Sequence, residues 1–344
     1  MKLNNRNHIR ISILISIIFI FLLNIDIYSQ PYFFKSVNST GDEIYNIVKI
    51  DLSNNSSELF LTKIKGVVNI FCDQWQKWLF IEFKESLEVY DIADKLLIKT
   101  LFSNKGSFAG IDGILYSPQK NKLLITWLNR HGQELISNTA IYNAPTLEKV
   151  DSTAFAVSFN SILSLDGDNI YQYGVDSVGS RFVNRFSISA NKLLSKVPFS
   201  NIVPTMKYKI IEDGKNGMVL ISFNSSIPSN NGKNYIVYNL ETGESTPPIS
   251  FPYRTYGYLT PNDRYVILQK VLWDPEKATA EDITGEISIY KTSNGELVSN
   301  LTLPPEGKIL IFNNFPNMFY YYDFIKDTTI PVDLTKLQNE KENN

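Results

Sequence analysis

Apolar runs and short polar turns alternate along the chain at a regular spacing. Six times an apolar segment passes through a turn into a second apolar segment. The turns are Cys72-Asp73-Gln74, Ser117-Pro118-Gln119, Ser164-Leu165-Asp166-Gly167, Ile211-Glu212-Asp213-Gly214, Thr260-Pro261-Asn262-Asp263 and Asn314-Phe315-Pro316-Asn317. Counted from the first residue of each turn, the steps are 45, 47, 47, 49 and 54 residues. A period in this range matches one four-stranded propeller blade per repeat.

A second element alternates with the first: a short β-run closing on an aromatic and a polar residue, then a turn. It recurs at Ile47–Asp51, Leu87–Asp91, Ala140–Asn143, Val183–Ser187, Ile236–Asn239 and Ile287–Lys291, with a weaker seventh at Ile330–Asp333. The turns after it include Thr242-Gly243 and Asn294-Gly295, where glycine accepts the positive φ of a tight hairpin. Each repeat therefore reads as strand a, turn, strand b, loop, strand c, turn, strand d. The expected fold is all-β, a single propeller of four-stranded antiparallel blades. Six a–b hairpins suggest six blades and seven c–d elements suggest seven. Seven is the expectation, with each terminus supplying most of a blade and the ring closed by pairing of the N- and C-terminal strands. Closure removes sheet edges that would otherwise recruit other chains.

Ser164-Leu165-Asp166-Gly167, Glu212-Asp213-Gly214 and the Tyr-Asp or Tyr-Asn ends of the c runs resemble the bacterial YVTN or WD40-like repeat superfamily. The resemblance spans nearly all of the chain after residue 29, and every match is degenerate. No blade shows the Gly-His and Trp-Asp pair of true WD40 repeats together, and Trp75, Trp78, Trp127 and Trp273 are not periodic. The resemblance implies a propeller. It implies no single activity, because the superfamily includes both scaffolds and enzymes.

The N-terminus departs from the pattern. Lys2, Arg6 and Arg10 precede a nearly unbroken apolar run from Ile11 to Leu23, and Ile27-Tyr28-Ser29 offers a small residue for cleavage before Gln30. The run is shorter than the ~20 residues of a spanning helix and reads as a secretory signal. The expected organisation is a signal over 1–29, a propeller over 30–338 and a polar disordered tail over 339–344. The expected destination is the periplasm, the cell surface or the extracellular space, with no membrane span after cleavage. The mature chain carries a net charge of −4 and no basic run, which argues against nucleic-acid binding. The single cysteine, Cys72, rules out an internal disulfide framework, so packing must hold the fold.

Loop lengths point to one face. The a–b and c–d turns are short and lie together. The b–c connections lie opposite, and four are long: Trp127–Thr139, Tyr173–Phe182, Phe223–Asn234 and Leu272–Gly285. Their chemistry and that of the neighbouring d–a connections nominate Arg130, His131, Tyr173, Asp176, Arg181, Lys207, Tyr253, Arg254, Trp273, Asp274 and Glu276 as binding residues. Aromatics beside arginine and carboxylates suit a glycan or a protein hot spot. The same residue types also furnish ordinary loop surface.

Catalytic signals are sparse. His131 is the only histidine after residue 29, and no nucleophile elbow is present. No set of zinc or cofactor ligands is visible. Asp166-Gly167-Asp168-Asn169 coincides with a repeated turn and reads as turn chemistry rather than calcium chemistry. The expectation is a monomeric binding module with a protein or glycan partner, no cofactor and no metal. The alternative is an enzyme using carboxylates such as Asp112, Asp176, Asp274 and Glu276 at the channel mouth.

Overall fold

A computed structural model describes residues 31–38, 43–73, 75–102, 107–144, 146–153, 155–158, 161–198, 210–224, 233–253, 255–273 and 281–337. It forms a seven-bladed propeller. Blade 1 contains β1 (Tyr32–Asn38), β2 (Ile44–Asp51) and β3 (Ser57–Lys65). Blade 2 contains β4 (Val67–Cys72), β5 (Trp78–Phe83), β6 (Ser86–Asp91) and β7 (Leu96–Phe102). Blade 3 contains β8 (Ser107–Ser117), β9 (Lys122–His131), β10 (Glu134–Asn143) and β11 (Glu148–Thr153). Blade 4 contains β12 (Ile162–Leu163), β13 (Asn169–Val175), β14 (Arg181–Ser187) and β15 (Lys192–Pro198). Blade 5 contains β16 (Ile210–Lys215), β17 (Met218–Asn224), β18 (Lys233–Asn239) and β19 (Ile249–Phe251). Blade 6 contains β20 (Thr255–Leu259), β21 (Tyr265–Trp273), β22 (Glu281–Lys291) and β23 (Leu297–Thr302). Blade 7 contains β24 (Gly307–Leu310), β25 (Met318–Asp323) and β26 (Thr328–Asp333). All ladders are antiparallel between consecutive strands. The outermost strand of a full blade is solvent-facing, as the fully exposed β15 shows.

One hydrogen bond recurs in every blade. The residue just after strand c donates its N–H to the carbonyl just before strand b. The pairs are Leu52 to Pro31, Ile92 to Lys77, Ala144 to Asn121, Ile188 to Asp168, Leu240 to Gly217, Thr292 to Arg264 and Leu334 to Asn317, at 2.8 to 3.1 Å. In four blades the preceding Asx side chain folds the turn. Asp51, Asp91, Asn239 and Asp333 each accept from the N–H two residues on, at 2.8 to 2.9 Å. This bond identifies β1 as a b strand and β26 as a c strand. The described chain therefore starts one strand into blade 1 and stops one strand short of completing blade 7. That frame gives six a–b turns and seven c ends, and so accounts for both counts read from the sequence.

The core is a ring of interfaces. Successive residues of a strand point to opposite faces, and each b strand has a blade on both sides. In β5, Trp78 and Phe80 pack with blade 3, while Leu79 and Ile81 pack with blade 1. In β9, Leu123 and Ile125 face blade 2, and Leu124 faces blade 4. Sandwiching between blades is why b strands read as unbroken apolar runs. The expected union of the chain ends takes the form of packing between two sheets. Ile50, Leu52 and Tyr320 are the buried residues of that seam, with Phe33 edge-on to Tyr322 at 4.7 Å. Asn55 donates to the Thr329 carbonyl at 3.0 Å and accepts from the Thr329 N–H at 2.5 Å. Among the described residues no ladder joins β1–β3 to β24–β26.

Two local expectations are corrected. Ile211–Gly214 is not a turn but lies within β16, and the hairpin turns at Asn216-Gly217, both with positive φ (47° and 79°). The 127–139 segment is not a loop. β9 and β10 extend to a two-residue turn, and Gly132 there adopts φ 63°. The expected signal (1–29) and tail (339–344) lie outside the described residues. No described helix is long and apolar enough to cross a membrane.

Candidate functional site

The b–c and d–a connections share one face, and the extended β9–β10 hairpin projects there. Arg130 pairs with Leu135 across the hairpin and His131 pairs with Glu134, so all four stand at its tip. Leu135 is 58% exposed. In blade 4, Asp176 is used by its own loop: Oδ1 accepts the N–H groups of Val178 at 3.1 Å and Ser180 at 2.7 Å. That loop lifts Val178 to 83% exposure between Tyr173 and Arg181. At the approach to blade 6, the Lys270 ammonium lies 4.2 Å above the Tyr253 ring and pairs with Glu286 at 2.9 Å. Trp273 ends β21, and Lys207, Arg254, Asp274 and Glu276 lie outside the described residues.

Large exposed apolar side chains stand on this face at separate positions around the ring, among them Val37, Leu135, Val178, Tyr253 and the Phe324-Ile325 pair. The last pair caps the β25–β26 turn, where Asp323 accepts from Ile325 and Lys326 N–H. The b–c turn of blade 7 is short, so loop length does not single it out. The signal was two adjacent large apolar residues in a turn, where polar residues are usual.

The opposite end of the central channel holds a cavity of about 250 Å³. It opens among the ends of the inner strands, which turn outward there. Blade 2 contributes Phe71, Cys72, Asp73, Trp75 and Phe80, and blade 3 contributes Tyr116 and Gln119. Ser161 and Leu163 come from blade 4, Lys215 and Asn216 from blade 5, and Asn313 from blade 7. Cys72 is the last residue of β4. It is open to the cavity, yet the surrounding protein pushes its thiol well above the usual value, and the neighbouring Asp73 charge adds to this.

Asp73, not Cys72, anchors the turn. Its N–H donates to the Trp78 carbonyl, and its carboxylate accepts the N–H groups of Trp75 and Lys77 at 2.8 Å and of Trp78 at 2.5 Å. Ser164 and Thr260 play the same part in blades 4 and 6, with a hydroxyl accepting the N–H five residues on. Blade 2 alone of these three puts a charge there. Burial raises the Asp73 carboxyl to about 6, against the opposing pull of the three N–H groups and of the Lys77 charge.

A pH effect follows. The folded pKa lies above the unfolded one, so the stabilising contribution is complete below the unfolded value and is lost as pH rises through about 6. Between about pH 4.5 and 7.5 this group alone should cost roughly 2 kcal/mol of stability. Urea unfolding should show this slope in the wild type and not in Asp73→Asn; equal slopes would disprove it.

Among the described residues no three His, Cys, Asp or Glu side chains group as metal ligands. Asp112 lies half-buried in β8 and is not brought to Asp176 by any contact the structure shows.

No family model and no curated protein sequence matches the chain. Solved structures do. A chain of Kuenenia stuttgartiensis hydrazine synthase aligns at 11% identity over 84% of this chain and 89% of that one, with a TM-score of 0.52. A chain of the mitotic checkpoint complex aligns at 8% identity over 84% and 81%, with a TM-score of 0.49. Kluyveromyces lactis Hsv2p aligns at 12% identity over 78% and 75%, with a TM-score of 0.48. At such identities a shared fold carries no shared activity.

Proposed function

We propose that the protein is an exported binding propeller whose protein partner docks on the b–c/d–a face. The observation that carries this is the ring of exposed apolar tips on that face: Val37, Leu135, Val178, Tyr253 and Ile325, flanked by Arg130 and Arg181. Exposed apolar groups rimmed by polar ones are the usual mark of an interaction surface. The seven interfaces behind them give a rigid platform, so little ordering cost is incurred on docking. The basic segment and apolar run of residues 2–23 support export. The degenerate Asp-Gly turn at Ser164–Gly167 supports a place near the bacterial YVTN propellers.

The test uses capture of the partner from the native cell envelope by the mature chain, read against two variants. Leu135→Asp with Val178→Asp and Ile325→Asp should lower capture about tenfold or more. Leu96→Asp with Leu165→Asp, on the opposite face, should leave it unchanged. Equal effects of both variants, or none from the first, would rule the docking face out. Finding the N-terminus of the exported protein at Gln30 would support the export reading; an intact Met1 in a cytoplasmic chain would sink it.

A further inference from the structure

The channel-end cavity lies on the side away from the proposed docking face and raises a separate question. Asp73 is 8% exposed and has no cation within ion-pair distance among the described residues. Three backbone N–H groups hold its carboxylate. Two of those bonds reach Oδ2 and one reaches Oδ1, so Oδ1 keeps room for another donor. Buried charges are ordinarily paired. The wall includes aromatic side chains, with Phe71, Trp75 and Tyr116 bordering the cavity beside it. Aromatic faces attract organic cations, and a desolvated carboxylate attracts their ammonium.

We infer that the cavity binds a small organic amine, its ammonium hydrogen-bonded to Asp73 Oδ1 and its carbon chain against Phe71, Trp75 and Tyr116. About 250 Å³ suits a molecule of metabolite size and excludes a folded peptide.

Calorimetric titration of the full chain near neutral pH decides the matter, with 4-aminobutanoate, 1-aminobutane and 1,4-diaminobutane as amine probes. Butanoate and 1-butanol are the acid and neutral controls. Saturable binding of an amine but of neither control is expected. Asp73→Asn should weaken it about tenfold, the loss expected for one charge-assisted bond. Leu163→Trp fills the cavity from blade 4 and leaves the Asp73 turn of blade 2 unsubstituted, and should abolish binding even if Asp73→Asn fails to fold. Cys72, the chain's single cysteine, gives a second readout: its alkylation by a maleimide should slow when an amine is bound. The inference is overturned if no amine binds at about 10 mM, the weakest affinity a specific site of this size would show. It is equally overturned if the controls bind as well as the amines, or if Leu163→Trp binds like the wild type.

Discussion

Deleting residues 305–344 should abolish the cooperative thermal transition of the chain. The deletion removes β24, β25 and β26, and with them two of the seven interfaces. Ile309, Phe319 and Tyr321 leave the cluster they share with Tyr265, Ile267, Ile287 and Ile289 of blade 6. Tyr320 leaves Ile50 and Leu52 of blade 1. Each large buried side chain contributes about 1.5–3 kcal/mol, so the four that leave carry about 6–12 kcal/mol, comparable to the whole 5–15 kcal/mol by which a typical domain is stable. The remaining blades form an open arc with an apolar wall at each end. Circular dichroism should record a broad, weak transition and early aggregation. A sharp melt at the full-length temperature would mean that the ring does not depend on its last blade.

Gly285→Ala should be the most damaging glycine-to-alanine change among the described residues, costing about 3 kcal/mol or more. A Cβ at this position would fall 1.8 Å from the Leu303 carbonyl oxygen and 2.5 Å from its carbon. The obstacle is backbone, and it is tied in place. Leu303 N–H donates to Gly285 O at 2.8 Å, and Glu306 N–H donates to Ile283 O at 3.0 Å. The connection from blade 6 to blade 7 thus lies directly on β22 and cannot retreat without loosening both bonds. Gly66→Ala is the control. Its φ of 70° is unfavourable for alanine, but a Cβ there meets nothing within 4 Å, so the cost should be near 1 kcal/mol. Urea midpoints of the two variants check the ranking; a Gly285 variant as stable as the Gly66 one would refute the close-approach argument.

The blade count was legible where chemistry repeats at a fixed place. The polar residue closing each c strand, followed by a buried or half-buried small or apolar residue, marked all seven blades, including the weak seventh at Asp333-Leu334. The a–b turns were harder. Asp213-Gly214 looks like a turn, yet Asn216-Gly217 two residues on is the better positive-φ pair, and the strand runs to meet it. The β9–β10 hairpin was hidden because its outer half leaves the packed ring. Beyond that point Arg130, Ser137 and Asn138 no longer need an apolar alternation, so a strand reads like a loop. The cavity was not legible at all. Its wall is drawn from five blades between Phe71 and Asn313, and only closure of the circle brings those residues together.

That circle is fastened unevenly. The seam between the last and first blades has three buried apolar residues, the Lys35–Asp327 ion pair, the Thr329 hydroxyl on the Leu52 carbonyl and the Asn55–Thr329 bonds, which span 274 positions of sequence. The blade 2–3 interface, by comparison, buries both Trp78 and Trp127 among many others. Mechanically, the seam is a clasp on a bracelet of stronger links. Tension applied at the two ends of the chain falls first on the side chains of Leu52, Tyr320 and Thr329, and only afterwards on any ladder. The protein should therefore open at one defined place under load and close again there, with the blades on either side still formed.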